Sequence, residues 1–455
     1  MSTIVAISTA PGIGGIGIVR MSGKNTFNII EKIFEPKNAS KIQGYSIKYG
    51  NIVEPETNKI IDEVLVSYFK GPKSYTCEDL CEINTHGGMV SAKNILEICL
   101  KSGAELAEPG EFTKRAFLNG RIDLSQAEAT IDIINARTKI EANSALNQLE
   151  GFLSKEIRRI KQKCLDVLVA MEVNIDYPEY DIPEITNKTV EEALHSIEEE
   201  LHSLLKTFEE GKIIKEGINL AIIGTPNSGK SSLLNALLKE DRAIVTEHEG
   251  TTRDVIEESI TISGIPFNII DTAGIRKAAN EVEKIGIEKA KKIAEKSDVV
   301  LAMFDISKNL DKDDKEILEF IKNKKSIIIL NKTDLRQNKL SSSELIQKAN
   351  KRVIEISVTE DEGINAIYDA LIEMFNINDI NLDNSNIVTN VRHKKLIEKG
   401  IESLEQGIKA IEENMPIDIV SINVREIVEA LNEIIGENVS EDILMEIFSR
   451  FCLGK

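Results

Sequence analysis

The segment GTPNSGKS at residues 224–231 constrains the fold of this chain more than any other feature. It matches the pattern G-x-x-x-x-G-K-[ST], in which glycines let backbone N–H groups approach phosphate oxygens. An apolar segment at 218–223 precedes it and a helical pattern at 232–238 follows it, as a strand–loop–helix phosphate site requires. In such a loop Lys230 places its charge on the β- and γ-phosphates, and the Ser231 hydroxyl ligates Mg²⁺.

Strands and helices alternate along residues 217–378, which contain this loop. This alternation predicts an α/β unit with a largely parallel sheet. The apolar strand candidates lie at 218–223, 259–262, 267–270, 299–304, 327–330 and 353–356.

Two further motifs follow predicted strands and indicate a guanine nucleotide. The first is DTAG at 271–274, where Asp271 can hold the metal through water and Gly274 can present its N–H to the γ-phosphate. The second is NKTD at 331–334. The Asp334 carboxylate would accept hydrogen bonds from N1–H and the exocyclic amine of guanine, and it would meet a repulsive acceptor in adenine.

The segment TEHEGTTRD at 246–254 lies between these motifs, and its Thr252 would complete the Mg²⁺ shell when a γ-phosphate is bound, as a switch does. The sequence SVT at 357–359 ends the last strand and predicts a second contact to the base. The predicted GTP-binding residues are Asn227, Ser228, Gly229, Lys230, Ser231, Ser232, Thr246, Glu247, His248, Glu249, Gly250, Thr251, Thr252, Asp271, Thr272, Ala273, Gly274, Asn331, Lys332, Asp334, Ser357, Val358 and Thr359.

The residue that follows Gly274 leaves a gap in catalysis. Many GTPases place there a glutamine that orients the attacking water, whereas this chain has Ile275, whose aliphatic side chain cannot do so. Another group must therefore position the water. The acidic segment at 281–283 offers a carboxylate, and Arg253 and Arg276 are basic candidates, although each charge alone is more often a solvated surface group.

The regions that flank the α/β unit differ from it in pattern. Residues 1–120 contain short strand candidates at 3–7, 17–21, 46–53, 63–69 and 80–84 and helix candidates at 25–34 and 91–100, which predicts a small α+β domain. Residues 125–177, 190–208, 392–412 and 424–435 have helical periodicity. The α/β unit is therefore predicted to be inserted into a helical region.

Composition excludes several classes of protein. The chain has 75 Asp and Glu against 56 Lys and Arg, a formal charge of −19, which does not suit a protein that coats nucleic acid or an anionic membrane unaided. Its five cysteines are scattered, and its first residues lack the pattern of a secretory signal. We expect a cytoplasmic chain with reduced thiols and no membrane segment.

Two weaker motifs do not support a dinucleotide site or a zinc site. GIGGIG at 12–17 fits a dinucleotide motif, but a β-branched segment follows it where a helix is needed. Cys77, Cys81 and His86 lack the fourth ligand and the paired spacing of a structural zinc site.

The flanks carry a family resemblance. The sequences INTHGG at 83–88, PGEFTKRAFLNG at 109–120 and FCLGK at 451–455, together with the inserted GTPase unit, resemble the MnmE (TrmE) family of tRNA modification GTPases over essentially the whole chain. The GTPase unit itself looks like the translation-factor-related class. The resemblance implies a multidomain protein: an α+β folate-binding-like N-terminal domain at 1–120, a discontinuous all-α helical domain at 121–215 and 380–455, and an inserted α/β P-loop G domain at 216–379.

The resemblance also implies an activity. Members of the family act with the flavoprotein MnmG (GidA) to add an aminomethyl or carboxymethylaminomethyl group at C5 of the wobble uridine, U34, of certain tRNAs. They use GTP hydrolysis and a one-carbon unit from 5-formyltetrahydrofolate or a related tetrahydrofolate. A homodimer, Mg²⁺ and K⁺ belong to the same expectation.

Matching positions imply roles for particular residues. The folate-binding set is Arg20, Glu82, Arg121 and Lys455, with arginine at 121 where the family usually has lysine. The Mg²⁺ ligands are Ser231 and Thr252, the K⁺ ligands are Asn227, Thr246, His248 and Thr251, and the catalytic residues are Glu283 and Lys230. Cys452 matches a functional thiol of the family, while a small buried hydrophobic residue is the equal alternative on residue type.

Two rival functions remain at this point. One is a ribosome-assembly GTPase of the Era-like kind, which would carry a basic KH module after the G domain, where this chain has acidic helical segments. The other is a nucleotide-switched scaffold without one-carbon chemistry, which folate binding would exclude.

Overall fold

The computed structural model describes residues 2–37, 44–176, 187–240, 258–270, 286–335, 340–341, 345, 349–377 and 388–455. The chain forms two compact units. The first consists of Met1–Ile134, Gln148–Leu201 and Lys395–Lys455, and the second of Asn135–Asn147 and His202–Lys394.

The first unit contains a seven-stranded sheet in the order β3-β4-β5-β6-β2-β1-β7. Its strands are β1 (Ile4–Ile7), β2 (Ile16–Ser22), β3 (Phe34–Pro36), β4 (Ser46–Val53), β5 (Ile60–Phe69), β6 (Leu80–His86) and β7 (Glu105–Leu106). Neighbouring strands are antiparallel except for the parallel pair β1 and β7. The predicted α+β pattern of this region is confirmed.

Helices α1 (Thr26–Ile33) and α2 (Met89–Lys101) contribute to the core on one face of this sheet. Side chains alternate along β6, so that Cys81 and Ile83 are buried in that core while Glu82 points to the opposite face. Antiparallel register places Arg20 of β2 directly beside Glu82. The period of two thus brings two predicted ligand residues together on the sheet face opposite that core.

The predicted helix at 25–34 is one residue too long at its end. Phe34 lies in β3, where it pairs with Ile52 and is buried in the core. Pro36 follows two residues later, and proline disfavours helical backbone at the residue before it. The GIGGIG segment leads into β2 from Ile16, as predicted, and not into a helix.

The remaining described helices form the helical region of the chain and the helical layers on the sheet of the second unit. Gly151, with φ +81°, separates α5 (Lys139–Leu149) from α6 (Phe152–Asp176). Helix α6 contacts α13 (Ile417–Ile435) in the first unit, and both helices bury apolar residues spaced three or four apart, among them Ile157 and Ile160 on α6 and Val424 and Ile427 on α13. These helices are α3 (Glu111–Leu118), α4 (Leu124–Asn135), α5 (Lys139–Leu149), α6 (Phe152–Asp176), α7 (Asn187–Glu216), α8 (Lys230–Glu240), α9 (Gly286–Glu295), α10 (Lys312–Ile321), α11 (Ile364–Met374), α12 (Val391–Glu412), α13 (Ile417–Ile435) and α14 (Glu441–Ser449).

Helices α12 to α14 make up most of residues 388–455, and the described part of this segment contains no strand. A KH module needs a sheet, so this segment argues against the Era-like alternative. No helix within the described ranges is long and apolar enough to cross a membrane.

The second unit contains a six-stranded sheet in the order β13-β12-β11-β8-β10-β9. The strands are β8 (Ile218–Gly224), β9 (Glu258–Ile262), β10 (Ile265–Ile269), β11 (Val299–Asp305), β12 (Ser326–Asn331) and β13 (Arg352–Ile356). All pairs are parallel except the hairpin of β9 and β10, which confirms the predicted, largely parallel sheet.

Both faces of this sheet are buried, which explains the continuous apolar runs in its central strands. One face packs with residues of α8 and α11, and the other with residues of α9 and α10. Parallel register brings the carboxyl ends of the strands to one edge, where Met303 pairs with Gly224 and Asp305 with Asn331. Ligands of open α/β sheets bind at this edge.

Candidate nucleotide and folate sites

The phosphate loop joins β8 to α8 as the sequence predicts. Asn227 and Gly229 have left-handed backbone, with φ +62° and +106°. Lys230 Nζ donates to the backbone carbonyls of Gly224 and Thr225 at 2.8 and 2.9 Å. Lys230, Ser231 and Ser232 form the first turn of α8, where backbone N–H groups have no partner within the helix and favour an anion.

Asn331 ties the phosphate loop to the loop that follows the last strand. Its amide is almost fully buried; Nδ2 donates to the Ser228 carbonyl at 2.9 Å, and Oδ1 accepts from the Val358 N–H at 3.4 Å. A Cβ on Gly229 would lie 2.2 Å from Asn331 Nδ2, so this close approach requires glycine. One side chain therefore fixes the distance between the two nucleotide loops.

Ser357, which is predicted to lie at the base, contacts the predicted base-reading carboxylate. Its hydroxyl is buried and donates to Asp334 Oδ1 at 2.7 Å, which orients the carboxylate proposed to read guanine. Thr359, at the end of the same segment, is exposed. The structure thus brings Asn331, Asp334 and Ser357 together at the edge of the sheet.

Two aspartates that the sequence analysis missed support these loops. Asp305 Oδ2 accepts from Lys332 Nζ at 2.6 Å. Asp314, near the start of α10, accepts from the Thr225 hydroxyl at 3.1 Å, and burial raises the pKa of its carboxyl. Both contacts join separate strand–helix units, so no local sequence spacing could have revealed them.

Several predicted site residues lie outside the described residues. They are Thr246, Glu247, His248, Glu249, Gly250, Thr251 and Thr252, then Asp271, Thr272, Ala273 and Gly274, and Glu283 together with Arg253 and Arg276.

The first unit holds the predicted folate residues. Arg20 Nη2 and Nε lie 2.8 and 2.9 Å from Glu82 Oε1, and both side chains are only partly exposed. Arg20 Nη1 also donates to the Gly454 carbonyl at 3.2 Å. An arginine fork beside a carboxylate offers donors and acceptors to a ligand that carries both acidic groups and ring N–H groups.

The segment at 451–455 is held against this pair. Phe451 is buried, the Gly110 N–H donates to the Cys452 carbonyl at 3.4 Å, and Ser8 Oγ donates to the Gly454 carbonyl at 2.9 Å. Burial lowers the pKa of Lys455, and the neighbouring Arg20 charge lowers it further. Cys452 is exposed, so the alternative that it is a small buried hydrophobic residue is wrong.

Tyr75 connects two of the predicted folate residues and was missed from the sequence. Its ring centroid lies 5.8 Å from the Arg20 guanidinium and 4.8 Å from that of Arg121. Its hydroxyl lies 2.9 Å from Thr113 Oγ1, and its carbonyl accepts from Arg121 Nη1 at 3.1 Å. A lone aromatic residue in a polar loop carries no sequence signal for contacts with positions 20 and 121.

Comparisons with known proteins show which family the chain resembles. The MnmE helical domain family matches residues 124–452, and the family described as GTP-binding protein TrmE N-terminus matches residues 3–121. A tRNA modification GTPase MnmE from Acetivibrio thermocellus is 50% identical over 455 residues, which cover 100% of this chain and 99% of the relative. Proteins of the same name from Alkaliphilus oremlandii and Clostridioides difficile are 49% and 48% identical; each alignment covers 100% of this chain and 99% of the relative. The chain belongs to the MnmE family of tRNA modification GTPases.

Proposed function

We propose that this chain hydrolyses GTP and, with the flavoprotein MnmG, adds an aminomethyl or carboxymethylaminomethyl group at C5 of U34 in certain tRNAs. The one-carbon unit comes from 5-formyltetrahydrofolate or a related tetrahydrofolate. One observation supports the proposal beyond a plain GTPase: the partly exposed Arg20–Glu82 pair of the first unit, next to Tyr75 and Lys455.

The nucleotide half of the proposal assigns phosphate binding to the loop at 224–231 and base selection to Asp334. Oxygen donors suit hard cations, and the Ser231 hydroxyl in the first turn of α8 and the Asn227 side chain on the phosphate loop fit that requirement. Ser231 and Thr252 would hold Mg²⁺, and Asn227, Thr246, His248 and Thr251 would hold K⁺. The bound cations supply positive charge to the phosphates during phosphoryl transfer, while Glu283 orients water.

The folate half assigns complementary groups to one ligand. Arg20, Arg121 and Lys455 offer positive charge to the acidic tail of a folate. Glu82 offers a carboxylate for paired ring N–H donors, and it is held in place by Arg20. The shared contacts with Tyr75 keep the two guanidinium groups at one site.

The quaternary proposal is a homodimer that works with MnmG on tRNA. Ile47, Tyr49 and Leu65 are exposed on the sheet face opposite the face that packs on α1 and α2, and Tyr49 pairs with Leu65 across β4 and β5. Neighbouring exposed apolar side chains on a sheet favour burial by another chain, and a second copy is the partner that we propose. Because the chain has a formal charge of −19, we assign much of the tRNA binding to MnmG.

The Asp334→Asn variant tests the nucleotide half. An amide cannot accept both N–H groups of guanine, but it can donate to the extra carbonyl of xanthine. We expect kcat/KM for GTP to fall roughly a hundredfold while the variant gains activity on xanthosine triphosphate. Unchanged GTP preference would contradict the assignment of Asp334.

Calorimetric titration with 5-formyltetrahydrofolate tests the folate half. We expect saturable binding that Arg20→Ala weakens at least about tenfold, since it removes a charge-assisted contact. Arg159→Ala is the matched control, because Arg159 is also ion-paired to glutamate, but on α6. Absence of binding in a preparation that hydrolyses GTP would leave a GTPase switch and refute the one-carbon role.

A further inference from the structure

Asp305 ends the central strand β11 with a carboxylate that is only 5% exposed. Its Oδ2 accepts from Lys332 Nζ at 2.6 Å. Its Oδ1 accepts from the Ser307 N–H at 3.0 Å and from the Ser307 hydroxyl at 2.6 Å. Lys308 Nζ lies farther away, at 4.0 Å from Oδ2. The carboxylate therefore has fixed partners on both oxygens, and Lys332 is its closest cation.

Lys332 is held at two points, at its backbone and at the end of its side chain. It stands directly after β12, with left-handed backbone at φ +72°, in a segment that is held by the bond from the Thr333 N–H to the Ile356 carbonyl. The backbone position is thus set by β13, while the end of the side chain is set by β11. A lysine side chain has several rotatable bonds, and without an anchor it samples many rotamers.

The charge state of Asp305 suits this role. Burial raises the pKa of its carboxyl, but hydrogen bonds from Lys332 and Ser307 outweigh that effect and hold the pKa below its ordinary value. The carboxylate is therefore ionised at neutral pH. An ionised group that has lost water is costly unless it is paired, so the pair holds together in the folded protein.

We propose that Asp305 is a positioning residue for the guanine site: by holding Lys332 Nζ, it fixes the methylene stem of that lysine next to Asp334 as one wall of the base pocket. This inference rests on the proposed nucleotide site. Asp305 acts before the nucleotide arrives, because a wall that is already ordered costs less conformational entropy on binding. The base is bound alike in the ground state and the transition state, so the effect falls on KM and not on kcat.

A double-mutant cycle tests this role. Asp305→Asn is expected to raise KM for GTP about tenfold and to leave kcat within about twofold. Lys332→Ala is expected to raise KM at least as much, and Asp305→Asn on that background is expected to add nothing, because both changes remove one interaction. Ser307→Ala is the matched control, since it removes a hydrogen bond to Asp305 but leaves the pair with Lys332; its KM should stay near that of the unmodified chain.

The outcomes separate this inference from the proposed function. If Lys332→Ala leaves KM unchanged, Lys332 is not a wall of the base pocket and the Asp305 role is refuted, whereas the base site itself fails only if Asp334→Asn leaves the GTP preference unchanged. If Lys332→Ala raises KM but Asp305→Asn does not, or if their effects on KM simply add, the site stands and the role of Asp305 is refuted. Asp305→Glu is the second variant, for the case in which the asparagine variant does not fold. It moves the carboxylate by one methylene, so KM for GTP should rise about threefold while kcat is retained. An unchanged KM would refute the role of Asp305.

Discussion

Tyr75 shows how one ring can order charged side chains that are distant in sequence. Arg20 comes from β2 and Arg121 follows α3, yet both guanidinium groups lie against the same ring. A cation over an aromatic face is stabilised by about 0.5–1 kcal/mol at an exposed site, and by more once water is excluded.

Removing this ring should weaken folate binding. Tyr75→Ala is expected to weaken binding of 5-formyltetrahydrofolate about tenfold, because both guanidinium groups lose their shared contact. Tyr75→Phe keeps the ring and loses only the contact with Thr113, so its affinity should stay within about twofold. Calorimetry measures both, and equal affinities of the alanine variant and the unmodified chain would contradict the role of the ring.

His86 and Asp62 form a pH-sensitive pair on the first unit. His86 Nδ1 lies 2.6 Å from Asp62 Oδ1, and this hydrogen bond raises the pKa of His86. Burial raises the pKa of Asp62, but hydrogen bonds from Ser91 and His86 outweigh it and lower the pKa below its ordinary value. The pair is therefore charged on both sides in mildly acidic solution.

The raised pKa of His86 and the lowered pKa of Asp62 predict how the stability of the folded chain depends on pH. The His86 contribution is fully present below the unfolded histidine pKa of about 6.5 and is lost as pH rises through the higher folded value. The Asp62 contribution is lost only in stronger acid, as pH falls through a lowered pKa. Asp62→Asn should therefore lower the melting temperature more at about pH 5.5 than at about pH 9, and proton NMR should show the His86 pKa falling toward about 6.5. Asp166→Asn on α6 is the control; an unshifted His86 titration in Asp62→Asn would contradict the pairing.

At the scale of elements, the segment at 451–455 reaches the predicted folate-binding residues through a tight backbone approach. Gly454 has φ +87°, and a Cβ there would lie 2.4 Å from the Ile7 carbonyl oxygen. The carbonyl of the same residue accepts from Arg20 and Ser8. A side chain at this position would push the segment away from β1 and from Arg20.

Gly454→Ala should therefore weaken binding of 5-formyltetrahydrofolate about tenfold and leave GTP affinity unchanged. Gly103→Ala is a matched control, since Gly103 also has positive φ, +108°, but a Cβ there meets nothing within 4 Å. The control variant carries the backbone strain without the clash. Equal folate affinity in the two variants would show that strain, and not the position of the segment, matters.

Local patterns were enough to predict most elements, and tertiary contacts were not predictable. The strands β4 and β8 and the phosphate loop follow from alternation, apolar runs and glycine spacing, which are properties of neighbouring residues. Sequence motifs also predicted that Asn331 and Asp334 lie at the nucleotide site. The buried amide contacts of Asn331, like the pairing of Asp305 with Lys332, depend on which strands lie side by side, and this information is not local. Short pieces such as β7 were missed because they exist only through pairing with β1.

At the scale of the whole molecule, the net charge limits how tightly the chain can bind tRNA. The chain has 75 acidic and 56 basic residues, a formal charge of −19, and like-charged macromolecules repel at low salt. Release of counterions from neutralised phosphates drives most binding to nucleic acid, so a chain with few clustered cations gains little from it. We therefore expect the proposed flavoprotein partner to contribute much of the positive surface.

The chain alone should therefore bind tRNA no more tightly than about 10⁻⁶ M, while the mixture with MnmG binds more tightly and shows a steeper salt dependence. Filter binding at about 50 and about 200 mM KCl measures both the affinity and its salt slope for the chain, for the partner and for the mixture. MnmG alone is the control, because its own slope should account for most of the slope of the mixture. Tight binding by the isolated chain that changes little between these salt concentrations would mean that base or shape contacts, and not partner-supplied phosphate contacts, hold the tRNA.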